Sequence, residues 1–153
     1  MNKKTVADID LAGKRVLMRV DFNVPVKDGK VENDKRLRAS LPSIQYVLGH
    51  GASLVLVDQA WMPHGDEVTP RMDVLTGPDC YVRLLGDRKK IEAITTTWGE
   101  EVLDHTDRML RWAALIRGMM KQGVRTFVYV NNHYAGHAPT TVRRLREMVE
   151  QEA

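Results

Sequence analysis

The chain has 153 residues and a single cysteine, Cys80. That excludes an intramolecular disulfide and fits a reducing compartment. Cys80 opens the apolar run CYVRLL, so a buried, inert thiol is expected rather than a nucleophile. No run approaches the roughly 18 apolar residues of a membrane-spanning helix. The opening MNKKTVADIDLAGK lacks the apolar core of a secretory leader. No membrane association is expected, and the expected location is cytoplasmic. Charge of one sign is scarce too: the net charge is +3, with acidic residues interspersed throughout. Such a mildly basic surface is not a nucleic-acid footprint. Internal repeats and low-complexity segments are missing, as are a GxxxxGK[ST] phosphate loop and a G-x-S-x-G elbow. No cofactor is expected.

What is present is ordinary for a globular protein: 43% apolar and 28% charged residues. The length suits one domain, 1–153. Lys14–Val20 (KRVLMRV) reads as a buried strand ending in RVDFNVP, a polar strand end with a carboxylate, an amide and a proline. Asp28-Gly29 is a turn signal for a small hairpin. From Arg36, the residues Leu37, Leu41, Ile44, Val47 and Leu48 recur at helical spacing, with Pro42 expected to start a new segment or kink the helix. Ser53–Val57 is a second buried strand. Strand, helix, strand with both strands apolar predicts a parallel βαβ unit.

Asp58 to Pro78 shows no periodicity, and an irregular connection of that length is either functional or a misreading. Cys80–Leu85 is a third strand and Arg88–Ile94 a short helix. Thr106 is a candidate cap for a helix whose apolar stripe is Met109, Leu110, Ala113, Ile116, Met119 and Met120. Val124–Val130 is a fourth strand. Pro139 suits the first turn of a last helix with Val142, Leu145, Met148 and Val149 on its face. The expected fold class is α/β, with four mostly parallel strands and flanking helices. The methionine-rich stripe reads as core rather than a cofactor box.

Residues 1 to 57, carried by RVDFNVP and RLRASLPSI, resemble the N-terminus of phosphoglycerate kinases. The resemblance implies a Rossmann-like βαβ segment that binds 3-phosphoglycerate. Asp21 and Asn23 would hold its hydroxyl and carboxylate region, and Arg19 would lie near them. It also implies that Arg36 is the catalytic arginine that stabilises the transferring phosphoryl group. Chemically this is apt, because a guanidinium offers a charge-assisted fork to a phosphoryl oxygen. Where that family has a His-Leu-Gly-Arg-Pro loop, this chain reads Asp58-Gln59-Ala60-Trp61-Met62-Pro63. Full kinase catalysis is therefore not expected, since positioning and electrostatics supply most of the acceleration in phosphoryl transfer.

Residues from about 55 to 146 resemble the C-terminal part of the DUF72 (YecE-like) family, through DQAWMP, YVRLLGDR, WAALIRGMMKQGV and NNHYAGHAPTTVRRL. That resemblance implies a partial TIM-barrel-like segment, and the chain then reads as a chimera of 1–57 and 58–153.

Ligands of α/β sheets bind at the carboxyl ends of parallel strands. Those ends carry Asp21 and Asn23, then Asp58, Gln59 and Trp61, then Arg83, Asp87 and Arg88, then Asn131, Asn132 and His133. They form a polar rim suited to a small anion or sugar-like ligand, with Trp61 and Tyr134 as stacking surfaces. The bland alternative is that these residues cap strands and bind nothing. His133 and His137 have H-x-x-x-H spacing, but Gly136 and Pro139 argue for a loop, so no metal is expected. Asp104, His105 and Asp107 precede a helix, where capping is the simpler role. Arg88-Lys89-Lys90 and Arg143-Arg144-Arg146 read as solvated faces.

The functional expectation is binding of 3-phosphoglycerate or a similar phosphorylated acid by a half-site, with no nucleic-acid partner. The alternatives are a non-enzymatic module for a protein partner and a barrel-derived enzyme of unknown reaction. Apolar edge strands and the methionine-rich helix also suggest a homodimer.

Overall fold

The structure, a computed structural model, describes residues 3–12, 14, 16, 18, 25–28 and 30–151. By contacts the chain divides into two compact units, Met1–Ala52 and Ser53–Ala153. Most of the strand expected at Lys14–Val20 lies outside the described residues, as do Arg19, Asp21 and Asn23.

In the first unit, β1 (Val26–Lys27) and β2 (Lys30–Val31) pair antiparallel. Asp28 sits between them at φ 49°, the left-handed conformation that two-residue hairpin loops require and that aspartate tolerates better than most residues. The helix α1 (Lys35–Gly49) follows. It runs through Pro42 as one helix, so of the two expected outcomes there, a new segment or a kink, the new segment does not occur. A proline deprives the carbonyl four residues back of its amide partner. Here that carbonyl belongs to Arg38, and both Arg38 and Pro42 are exposed, so water can serve it. Val47 is the buried member of the expected stripe, whereas Leu41 is exposed.

The second unit is built on three parallel strands, β3 (Val55–Gln59), β4 (Asp79–Gly86) and β5 (Arg125–Val130), in the order β3-β4-β5. The described parallel sheet thus has three strands where four were expected. Each strand neighbours the next in sequence. Because parallel crossovers are nearly always right-handed, such an order carries its crossovers on one face. The long helices α4 (Thr106–Lys121) and α5 (Ala138–Glu150) accordingly pack together over one side of the sheet.

Period-two alternation decides which strand residues meet them. Leu56 of β3, Cys80, Val82 and Leu84 of β4, and Val128 and Val130 of β5 point into a core with Met109, Trp112, Ala113, Ile116 and Met119. Burying each large side chain of this kind stabilises by about 1.5–3 kcal/mol. Leu110 and Met120, expected in the same stripe, lie on the exposed side of α4, and Val142 likewise on α5. Trp112, absent from that stripe, is fully buried. The opposite face of the sheet is open: Val55, Phe127 and Tyr129 are exposed there.

The connection after β3 is irregular apart from the short helix α2 (Gly65–Val68), yet it is anchored. His64 is buried against Trp112, and Val74 joins the core. A further short helix, α3 (Arg88–Glu92), follows β4, with Asp87 accepting a hydrogen bond from the Lys90 amide.

Candidate functional site

Arg36 occupies the first turn of α1 and is exposed. Its carbonyl accepts the Ser40 hydroxyl at 3.0 Å. The other residues that the kinase resemblance groups with it, Arg19, Asp21 and Asn23, fall outside the described residues.

In the second unit the strand ends do gather polar groups, but into two clefts rather than one rim. The first surrounds Asp58. The sequence placed this residue just beyond a strand. It lies instead inside β3, only 1% exposed. A buried carboxylate must be paired and hydrogen-bonded to be tolerated. Arg108 meets it as a fork, with Nε at 2.7 Å and Nη2 at 2.5 Å from Oδ1. The Trp112 indole N–H donates to Oδ2 at 2.5 Å and the Tyr134 hydroxyl donates to it at 3.3 Å. Hydrogen bonding to Asp58 raises the Arg108 guanidinium above its usual value, so it stays charged. Burial, reinforced by the Asp58 charge, pushes the Tyr134 phenol far up, so it remains a donor.

Arg108 and Trp112 are one helical turn apart on α4, which is why both reach one acceptor. Neither was singled out in the sequence. The i, i+4 spacing of an arginine and a tryptophan on one face was the available signal.

Asp58, Gly86, Lys90, His105, Arg108 and Tyr134 line a cleft of about 200 Å³. Burial lowers the His105 imidazole below its ordinary value, leaving it neutral at neutral pH. Its ring lies 4.9 Å from that of Tyr134. Tyr134, expected as a stacking surface, is 1% exposed and belongs to the core. Trp61, the other expected surface, is 76% exposed in the turn after β3 and lines neither cleft.

The second cleft lies on the open face, at the carboxyl ends of β4 and β5. It has about 320 Å³ and is lined by Arg83, Leu85, Tyr129, Val130, Asn131, Asn132 and Ala138. Arg83 stands opposite Tyr129 in the parallel register. His133, expected on the same rim, turns elsewhere. Its Nδ1 faces Asn131 Oδ1 at 2.8 Å, its Nε2 faces Glu92 at 3.2 Å, and its ring meets Trp98 edge-on. His137 pairs with Thr140, so the two histidines do not converge.

Asp104 accepts the Thr106 amide at 2.9 Å and the Thr106 hydroxyl at 2.5 Å, and these bonds hold its carboxyl below the usual range. The N-cap position of α4 is therefore His105, with Thr106 already inside the helix and its amide served by Asp104 from outside it. A further network went unread in the sequence. Buried Thr141 donates to Glu101, and Arg144 bridges Glu101 and Thr106.

Comparison with known proteins places a phosphoglycerate kinase family match over residues 6–115. The chain is 44% identical over 102 residues to the phosphoglycerate kinase of Fervidobacterium nodosum, covering 67% of this chain and 25% of that protein. It is 47% identical over 102 residues to the phosphoglycerate kinase of Chloroherpeton thalassium, with the same coverage. Over 99 residues it is 46% identical to that of Chloroflexus aurantiacus, covering 62% of this chain and 24% of that protein. The chain thus spans about a quarter of the length of the curated relatives it matches. No solved structure matches it. The family match runs well past residue 57, through β3, β4 and much of α4, a stretch expected to belong to a second family. The DUF72 resemblance finds no support in these comparisons.

Proposed function

Because the chain belongs to the phosphoglycerate kinase family, we propose that it binds 3-phosphoglycerate or a similar small phosphorylated acid through its N-terminal segment. What carries this reading is the family match across residues 6–115, which includes both RVDFNVP and RLRASLP. In it, Arg36 forks onto the phosphoryl oxygens while Asp21 and Asn23 orient the hydroxyl and carboxylate end, with Arg19 beside them. Binding is the proposed activity, not phosphoryl transfer from ATP. A separate origin for the C-terminal part rests on NNHYAGHAP at 131–139, which lies beyond the matched stretch.

Calorimetry with 3-phosphoglycerate on the purified chain tests the proposal. Arg36→Ala is expected to weaken binding by about 1.5–3 kcal/mol, the range for a hydrogen bond to a charged partner. Arg143→Ala, on α5, should change it little. Equal losses from both would indicate diffuse attraction and overturn the assignment. ATP-dependent turnover of 3-phosphoglycerate that vanished in Arg36→Ala would overturn the restriction to binding.

A further inference from the structure

We propose that the open-face cleft of the second unit is a separate binding site for a small organic oxyanion, a carboxylate or phosphate monoester whose apolar body lies against Tyr129. The observation that points there is an imbalance of hydrogen-bonding groups. Six arginines of the second unit pair with carboxylates: Arg88 with Glu92, Arg108 with Asp58, Arg111 with Asp66, Arg125 with Asp79, Arg144 with Glu101 and Arg146 with Glu150. The Arg83 side chain is exposed and, among the described residues, its guanidinium makes no hydrogen bond or ion pair. No acidic residue lines its cleft.

The two asparagines add donors, and their orientation follows from their bonds. Oδ1 of Asn131 accepts the His133 amide at 3.1 Å, and Oδ1 of Asn132 accepts the Ala138 amide at 2.8 Å. A backbone N–H needs an acceptor, so each side-chain oxygen is committed and each Nδ2 is left with two protons to donate. One guanidinium and two amide groups therefore border a cleft in which side-chain donors outnumber acceptors. An oxyanion is the ligand chemistry that matches such a set. The aromatic wall is formed by Tyr129, 52% exposed, whose ring runs nearly parallel to that of Tyr81 at 6.3 Å. A volume of about 320 Å³ accommodates an anionic head with a small ring. By contrast, the Asp58 cleft carries Lys90 and Arg108 against Asp58 and Asp87, and its formal charges cancel.

The test uses the full chain labelled with ¹⁵N and follows the side-chain amides of Asn131 and Asn132 during titration with phenyl phosphate and, separately, with phenylacetate. Saturable shifts of both amides are expected with at least one probe, and the probe that saturates identifies the preferred head group. Arg83→Gln should raise the dissociation constant at least tenfold. Asn132→Asp keeps the acceptor for the Ala138 amide, so α5 still starts normally, but it replaces the donor by a negative charge and should abolish binding. Shifts that stay linear through the millimolar range with both probes, or a saturable Asn131 shift that survives in a folded Asn132→Asp variant, overturn the proposal. The same amides should respond equally in Arg36→Ala, which separates this site from the one proposed in the N-terminal segment. Loss of their response in that variant would also overturn it.

Discussion

The indole N–H of Trp112 reaches Oδ2 of Asp58 across 2.5 Å, tying the middle of α4 to the end of β3. Both groups are almost wholly removed from water. Asp58→Ala strips Arg108 and Trp112 of their shared acceptor and leaves a partly buried guanidinium uncompensated. Breaking a buried pair in this way costs about 3–5 kcal/mol. Trp112→Phe removes one donor and some volume while Asp58 keeps Arg108 and Tyr134, and the lost bond to a charged group costs about 1.5–3 kcal/mol. Urea unfolding followed by circular dichroism should return the variants in that order. A smaller loss from Asp58→Ala than from Trp112→Phe would contradict the account of the cluster.

Gly86 ends β4 at φ 72°, and a Cβ there would run into the His133 carbonyl oxygen and approach Tyr134 Cα to 2.5 Å. Gly123, between α4 and β5, has φ 78° with open space around it. Both alanine substitutions incur a left-handed backbone cost of roughly 1–2 kcal/mol. Only Gly86→Ala adds a clash with backbone that cannot rotate away. Thermal melts should therefore show a distinctly larger fall for Gly86→Ala, and equal falls would mean that β4 does not approach residues 133 and 134 so closely.

Much of the second unit was legible because apolar alternation and helical stripes survive in VRLL, VYV and the α4 run. The strand at 53–57 was placed two residues early because its last members, Asp58 and Gln59, are polar. Nothing local announces that Asp58 is buried, since its partners lie 50, 54 and 76 residues away. Trp112 was missed for the same reason: its indole N–H makes it look unlike a core residue until its acceptor is known. The reading of Arg83, Asn131 and Asn132 as strand-end residues did not reveal which cleft they share. That depends on sheet order and on which face the helices cover.

Arg111 draws the Asp66 carboxyl down to about 2, chiefly through their hydrogen bond, and His64 helps. A depressed carboxyl contributes stability that is fully present above its unfolded value of 3.8 and is lost as pH falls toward about 2. Melting temperature should thus decline through that window in the parent chain. Asp66→Asn, which cannot titrate, should be less stable at neutral pH and show a shallower decline. Glu67 shares Arg111 and titrates in both proteins, so the difference between the curves belongs to Asp66. Parallel curves would remove Asp66 from the acid response. The pair is partly exposed, and screening by salt should shrink the difference.

Thr141 is completely buried on α5, and its hydroxyl lies 2.5 Å from Glu101 Oε1 and 3.2 Å from the His137 carbonyl. One proton serves both acceptors, and the charged one, at the shorter distance, takes the stronger bond. Glu101 Oε2 accepts from Arg144 Nη1 at 2.6 Å, and Arg144 Nη2 reaches the Thr106 hydroxyl at 2.6 Å. The Glu101 carboxylate thus ties the loop before α4 to α5, and Arg144 extends the link to the first turn of α4. Thr141→Val retains the branched shape and removes only the hydroxyl, at a cost of about 1.5–3 kcal/mol for a bond to a charged acceptor. Glu101→Gln keeps the outline but weakens the bonds from both Thr141 and Arg144. Because both substitutions act on the same bond, the double variant should lose less than the sum, with a coupling of about 0.5–3 kcal/mol. Chemical unfolding of the four proteins in parallel measures it. Strict additivity would mean that Thr141 and Glu101 act separately, and that the Glu101 carboxylate is held to α5 by Arg144 alone.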